Sequence, residues 1–223
     1  METKSKSKKK PDRAVWLEAY REYVLKEEKI PSSAFKLANY AGLTESGFYG
    51  HFSSVQQLDS AIWMNHLDEV FDALAGNPEW NGFSGREKVL LFFFSLVQQL
   101  KKDRSFICWS AGNLIRPGRP SAARREITAR MKNWFAGILD ESAASGEVKD
   151  RMKLSAHYST ALLGGFWFIL SFWCRDESPD FEDSDALIEK SIGLGFDLLG
   201  ESPLEKAFDL GRFLFGRLNA SCA

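Results

Sequence analysis

The chain is poor in the residues that mark catalytic and metal chemistry. Its three histidines, His51, His66 and His157, are scattered, and no HExxH-type pair occurs. The three cysteines, Cys108, Cys174 and Cys222, are widely spaced and form no CxxC. That pattern argues for reduced thiols and against a disulfide framework or a zinc site. There is no GxSxG and no glycine loop able to cradle phosphate. The acidic run from Asp176 to Asp185 lacks the order of a calcium loop and reads as a solvated connection. No enzyme, cofactor or metal site is expected. Charge is balanced as well, with 29 Lys and Arg against 30 Asp and Glu. Affinity for a polyanion would have to come from local charge, because phosphate neutralisation supplies most non-specific binding. "METKSKSKKKPDR" has no apolar stretch behind its charges, so no signal peptide is expected and the cytoplasm is the expected compartment. The one long apolar stretch, 157–174, includes His157, Tyr158, Ser159 and Thr160 and barely reaches the length of a span, roughly 17–25 residues. A helix buried all round, with no membrane span, is the expectation.

What is abundant is aromatic and helical. Seven Trp and eighteen Phe among 223 residues can fill a large core. No segment alternates with strand period and no solenoid repeat is present. Apolar residues recur at three and four instead, which predicts an all-α fold of about ten helices. The first follows Asp12, a plausible N-cap, with Val15, Trp16, Ala19, Tyr20 and Val24 on one face. A second is capped by Ser32 or Ser33 and carries Phe35, Leu37, Ala38 and Ala41. Gly42 supplies the positive φ its end requires, and Thr44 can cap a third helix through Phe52. A fourth begins at Ser53 or Ser54. "GNPEWNGFSG" (76–85) forms a joint, "RPGRP" (116–120) and "SGEVKD" (145–150) are breaks, and later helices are expected in "REKVLLFFFSLVQQLKKDRSF" (86–106) and, separately, at 104–115, 121–144, 157–174, 184–199 and 203–217.

The stretch "IPSSAFKLANYAGLTESGFYGHFSSVQQLDSAIW" (30–63) resembles the DNA-binding domain of TetR-family transcriptional regulators. The likeness lies in the Ser-capped second helix, "LA..AGLT", the "FYGHF" aromatic pair and a Leu opening a long linking helix. Such a chain has a three-helix helix-turn-helix head and a larger helical-bundle body. The expected divisions are a disordered basic arm at 1–11, a DNA-binding domain at 12–53 and a ligand-binding and dimerisation domain at 54–223. The resemblance implies a ligand-responsive repressor that holds a double-stranded DNA operator as a homodimer. The alternative is a TetR-fold protein that binds a lipid or isoprenoid and no longer reads DNA.

Carried onto this sequence, the resemblance makes Ser33 and Tyr49 phosphate donors and sets His51 beside the backbone. It puts Thr44, Glu45, Ser46 and Gly47 on the groove-facing turn, while Val55 stands where the family usually has Lys. Tyr49 has an apolar body and a polar tip, which suits either a phosphate contact or a structural hydroxyl. Lys36 and His51 fit DNA contacts or solvated surface equally. Residues 31–58 hold only Lys36 and Glu45 as full charges, whereas residues 1–13 carry six basic and two acidic side chains. The arm, with Lys8, Lys9 and Lys10, is therefore the expected source of attraction. In the body, Phe93, Phe106, Trp109, Trp134, Phe166 and Trp167 are candidates for an apolar pocket around a small-molecule effector, with Asn113, His157 and Tyr158 as its polar groups. Ala161, Gly165, Phe168 and Phe172, with Ile188, Ile192 and Phe196 from a later helix, are candidates for the dimer contact.

Overall fold

The computed structural model describes residues 12–115, 121–148 and 155–199, with side chains from 158 onward in the last stretch. The basic arm, the break at 116–120, the end of the break at 145–150, the His157 side chain and the expected helix at 203–217 lie outside the described residues. Among those described there are nine α-helices and no strand. They are α1 (Arg13–Glu27), α2 (Ala34–Ala41), α3 (Glu45–Phe48), α4 (Gln56–Ala75), α5 (Gly85–Lys101), α6 (Arg104–Ile115), α7 (Ala122–Ala144), α8 (Ser155–Trp173) and α9 (Glu182–Leu199). The chain divides into two compact units, one of residues up to 69 with 99–127, the other of 70–98 with 128 onward. Helix α4 runs without a break from the first into the second.

In the first unit, Asp12 caps α1 by accepting the Arg13 N–H at 2.6 Å. Trp16, Leu17, Tyr20, Tyr23 and Val24 turn inward, but Val15 is exposed. It lies one residue off the stripe that 16, 20 and 23 define at helical spacing. Phe35 departs in the same way: Ala34, Leu37 and Ala38 are buried and Phe35 is 57% exposed. Trp16 meets Phe48 edge-on at 5.3 Å, and Phe48 meets Phe52 at 5.7 Å, so both "FYGHF" phenylalanines are core. Each large side chain removed from water contributes about 1.5–3 kcal/mol. Helix α3 ends at Phe48 rather than continuing to Phe52, and 49–51 form a turn that brings Phe52 back under Phe48. The start of α4 is fixed from inside the helix, where the Gln57 side chain accepts the Ser53 N–H at 2.8 Å.

In the second unit the rings pack on Phe92, with Trp134 at 4.6 Å, Phe93 at 5.3 Å and Phe71 stacked at 5.7 Å. The joint at 76–85 contains a 3-10 turn, Trp80–Gly82, and ends in a reciprocal cap between Ser84 and Glu87. Glu147 crosses over to accept the first two N–H groups of α5, Gly85 at 2.6 Å and Arg86 at 3.0 Å. Asp176 corrects the reading of the acidic run as wholly solvated: it is buried and accepts the N–H groups of Ser178 and Ser184 at 2.8 Å each. Burial works against its charge, but the hydroxyl and backbone bonds from Ser178 and Ser184 outweigh it and hold the carboxyl at about 2.

Candidate functional site

The helix-turn-helix is built from two caps and one glycine. Ser33 is extended at φ −158° and accepts the Lys36 N–H at 3.2 Å. Gly42 ends α2 at φ 65°, and the Leu43 N–H returns to the Ala38 carbonyl at 2.8 Å. A Cβ at Gly42 would meet no atom, so the backbone angle alone calls for glycine there. Thr44 then caps α3 by accepting the Gly47 N–H at 3.3 Å, and Ser46 donates to the Thr44 hydroxyl at 3.3 Å. Ser33, Lys36, Thr44, Ser46, Tyr49 and His51 are exposed, while Glu45 and Gly47 are half-buried. The Tyr49 hydroxyl reaches Glu45 at 3.4 Å, a long bond on an open surface. The Lys36 ammonium sits 6.0 Å from the Tyr23 ring. Residues 12–55 carry five Lys and Arg against six Asp and Glu, so this surface has no cationic surplus.

Beneath it lies a set of polar ties. Arg21 of α1 donates to Asp103 at 2.6 Å, and His66 of α4 meets the other oxygen of Asp103 at 3.0 Å. Gln99 donates to Glu69 at 2.6 Å and lies 3.2 Å from His66 Nδ1. Burial lowers the His66 pKa and the Asp103 charge opposes it. The neutral ring, with Nδ1 accepting from Gln99 and Nε2–H donating to Asp103, accounts for both contacts. A second chain runs from Trp63 Nε1, which donates to Ser110 at 2.9 Å, to Ser110, which donates to Asp59 at 2.8 Å. Burial pushes Asp59 up to about 6, against the pull of the Ser110 bond. Burial also raises the Tyr20 hydroxyl, and the Asp59 charge adds to it. None of these pairs can be read from sequence, since their members are 30 to 82 residues apart.

The expected pocket residues fall into both units. Phe106, Trp109 and Asn113 belong to the first, and Asn113 is exposed with its amide on the Trp109 carbonyl. Phe93, Trp134, Tyr158, Phe166 and Trp167 belong to the second. There Phe93 and Phe166 are buried ring against ring at 6.4 Å, and Trp134 and Trp167 are half-buried. The buried Tyr158 hydroxyl has no hydrogen-bond partner among the described residues. A groove of about 360 Å³ lies elsewhere on this unit, lined by Phe71, Leu74, Ala75, Trp80, Arg130 and Trp134. Of the expected residues whose side chains are described, only Trp134 reaches it.

Of the expected dimer residues, Ala161 is exposed, Gly165 and Phe172 are half-buried, and Phe168 is 56% exposed. Ile188, Ile192 and Phe196 are buried within the chain itself. They face inward at helical spacing, and the open side of α9 presents Leu194 and Leu198 instead. Among the described residues, a Cβ placed on Gly164, Gly165 or Gly195 would touch no neighbouring element. Among the described residues no group of three acidic, Cys or His side chains could hold a metal, and no helix is long and apolar enough to cross a membrane.

Solved structures share the fold. The fatty acid degradation regulator FadR from Bacillus halodurans superposes with a TM-score of 0.59 at 13% identity, over 84% of this chain and 97% of that one. FadR from Bacillus subtilis, in complex with stearoyl-CoA, gives 0.62 at 16%, over 81% and 97%. Thermus thermophilus FadR, a TetR-family repressor in complex with lauroyl-CoA, gives 0.59 at 16%, over 86% and 98%. No curated protein sequence matches. Residues 88–214 match the family described as "Tetracyclin repressor-like, C-terminal domain". That match takes in more than half of the 223 residues, and the chain belongs to the tetracyclin repressor-like (TetR) family.

Proposed function

We propose that this protein is a ligand-responsive transcriptional repressor that holds a double-stranded DNA operator as a homodimer and performs no catalysis. One observation carries the reading: in a chain of this family, Ser33, Gly42 and Thr44 build a fully capped helix-turn-helix with its hydroxyls turned outward. The functional division is an arm at 1–11, a DNA-binding head at 12–53 and a ligand-binding, dimerising body from 54. Ser33, Tyr49 and His51 contact phosphate, with Lys36 beside them, and Thr44, Glu45, Ser46 and Gly47 form the turn that enters the groove. Glu45 can accept from cytosine N4 but repels phosphate, so the short helix positions the head and the arm, through Lys8, Lys9 and Lys10, supplies attraction. The FadR structures with stearoyl-CoA and lauroyl-CoA support an apolar effector for this fold. One helix, α4, carries both the start of the body and the last turns facing the groove at Phe71, so ligand and DNA can bias a single equilibrium.

The test is capture of genomic fragments by the purified protein, followed by binding to an enriched fragment over a salt series. Deleting residues 1–10 is expected to weaken binding at moderate salt and flatten log K against log salt, by about 0.9 for each phosphate no longer neutralised. An unchanged slope overturns the role of the arm. A lipid-binding protein that no longer reads DNA is the second reading, favoured by the near-absence of cations in 31–58. It prevails if no fragment is enriched and organic extraction of the purified protein yields a bound lipid.

A further inference from the structure

We propose that His66, on the linking helix α4, is a proton-operated switch: its neutral ring fixes the Gln99 amide of α5 in one orientation, and a proton on the ring reverses that amide and exchanges its partners. The inference rests on the repressor reading only for its consequence on DNA; the switch is argued from its own geometry. Both ends of the amide are engaged. Its oxygen accepts from the Lys102 ammonium at 2.6 Å, and its nitrogen donates to Glu69 at 2.6 Å and lies 3.2 Å from His66 Nδ1. Those charged partners dictate the orientation, because an ammonium only donates and an ionised carboxylate only accepts. Nδ1 must therefore be an acceptor. On the other side of the ring Nε2 lies 3.0 Å from Asp103, again an acceptor, so the single ring proton sits on Nε2.

A second proton on the ring makes Nδ1 a donor facing a donor. The ring is buried, so the conflict has to be relieved within the cluster. Turning the amide over relieves it. Its oxygen then accepts from Nδ1–H, and its nitrogen turns to the side of Lys102, a side chain 64% exposed, where water can take its hydrogens. Glu69 and Lys102 both lose Gln99 but have each other, since the ammonium already lies 3.7 Å from that carboxylate. Each state is satisfied, and the two differ in which groups are joined. The neutral ring leaves α5 tied to α4 through Gln99 at both His66 and Glu69; the charged ring keeps the first tie and gives the second to Lys102. Asp103 changes as well. Among the described residues, Arg21 of α1 is the one permanent cation on it, at 2.6 Å, and a proton on His66 sets a second cation against its other oxygen, drawing it from α1 towards α4. The charged groups facing the ring are Arg21 from α1, Glu69 from α4 itself and Asp103 from the turn before α6. Burial opposes a charge on the ring more than the two carboxylates favour it, so the neutral state is the resting one and acid operates the switch. Glu69 is the last residue of α4 in the first unit and Gln99 the first of α5 there, so the switch stands where the chain leaves that unit and returns to it.

The experiment is a proton–nitrogen NMR titration of the full-length protein, without DNA, from about pH 8 to 5, the range in which imidazoles titrate. His51→Gln and His157→Gln identify the other two histidine rings and leave His66, and the Gln99 side-chain amide is assigned through its own backbone. Neutral His66 is expected as the Nε2–H tautomer and should gain its second proton on acidification, with the Gln99 amide signals moving at the same midpoint. Gln99→Leu removes the donor held against Nδ1, so it should raise the His66 midpoint by about 0.5–1 pH unit. An apolar neighbour acting through burial alone would lower it. Gln99→Glu, which offers Nδ1–H an acceptor, should raise it further. The tautomer and the shared midpoint are read on the unmodified protein, so a misfolded variant does not leave the switch untested. The switch is overturned if neutral His66 carries its proton on Nδ1, if the ring stays neutral to the acid end of the titration, if the Gln99 amide signals do not follow it, or if folded Gln99→Leu lowers the midpoint or leaves it unchanged. Because no DNA is present, a failure of operator binding leaves this result standing, and the reverse also holds.

Discussion

Asp59 shows how much chemistry a single residue of the linking helix can hold. Its carboxylate accepts from Ser110, a side chain with no exposed surface, and burial lifts it to about 6. A carboxyl whose pKa is raised by folding stabilises the native state below its unfolded value, near 3.9, and that stability is lost as pH rises through about 6. Asp59→Asn keeps an acceptor for Ser110 and removes the buried charge. It should therefore match the parent near pH 4 and exceed it at pH 7.5 by about 1–3 kcal/mol, the shift being discounted for screening. Melting temperatures at pH 4, 5.5 and 7.5 check this, and a pH-independent difference would sink it. Nothing in "QQLDSAIW" announces the role, because the groups that meet Asp59, Tyr20 and Ser110, lie on segments far apart in the chain. Ser33, Gly42 and Thr44 are legible because their partners lie within a few residues, at spacings that cap geometry dictates.

Among the elements, α5 depends on a group it does not contain. Its first two N–H groups are satisfied by Glu147, more than sixty residues away in sequence, and the adjacent α7 lies so near that a Cβ on Gly85 would come 1.8 Å from the Ser142 hydroxyl oxygen. Glu147→Ala should strip this cap and cost about 1–2 kcal/mol, as removal of an N-terminal cap does. Glu147→Gln, which keeps one acceptor oxygen, should be less damaging. Denaturant midpoints of the two variants decide the order, and equal destabilisation would show that the carboxylate is not acting as the cap. "SGEVKD" is readable as a break, but its Glu gives no sign of reaching another helix. Helix existence and type follow from apolar period and turn residues. Inward faces are less legible, and Val15, Phe35 and the α9 residues Ile188, Ile192 and Phe196 show why. A period identifies which residues share a stripe, while neighbouring segments decide whether that stripe meets the chain's own core or a second chain.

At the scale of the whole molecule, the homodimer proposed above would cover the apolar side chains left open on α8 and α9. Phe168 of α8 and Leu194 and Leu198 of α9 are each at least half exposed, and α8 also carries Ala161, Gly164 and Gly165, which add almost no bulk. Large apolar patches are rare on monomers, and small residues allow two helix backbones to approach closely. An isologous contact, in which the same two helices meet their copies about a two-fold axis, would cover these side chains without leaving a free edge. Such an obligate interface buries on the order of 2,000 Å² or more. The buried α9 residues belong to the protomer's own core, so the sensitive positions are those facing out. Gly165→Arg would set a cation where two backbones approach, and Leu194→Asp would set an anion on an exposed apolar ridge. Among the described residues neither side chain meets an obstacle, since Gly165 has open space beyond its Cα and Leu194 is 60% exposed. Both variants should retain their helical content yet sediment as monomers at micromolar concentration, where the parent sediments as a dimer. Two heads on one dimer make two half-sites, so each variant should also bind the operator far more weakly than removal of one head's phosphate contacts would produce. A monomeric parent, or a Leu194→Asp protein that remains dimeric, would remove this interface and the two-headed mode of DNA binding with it.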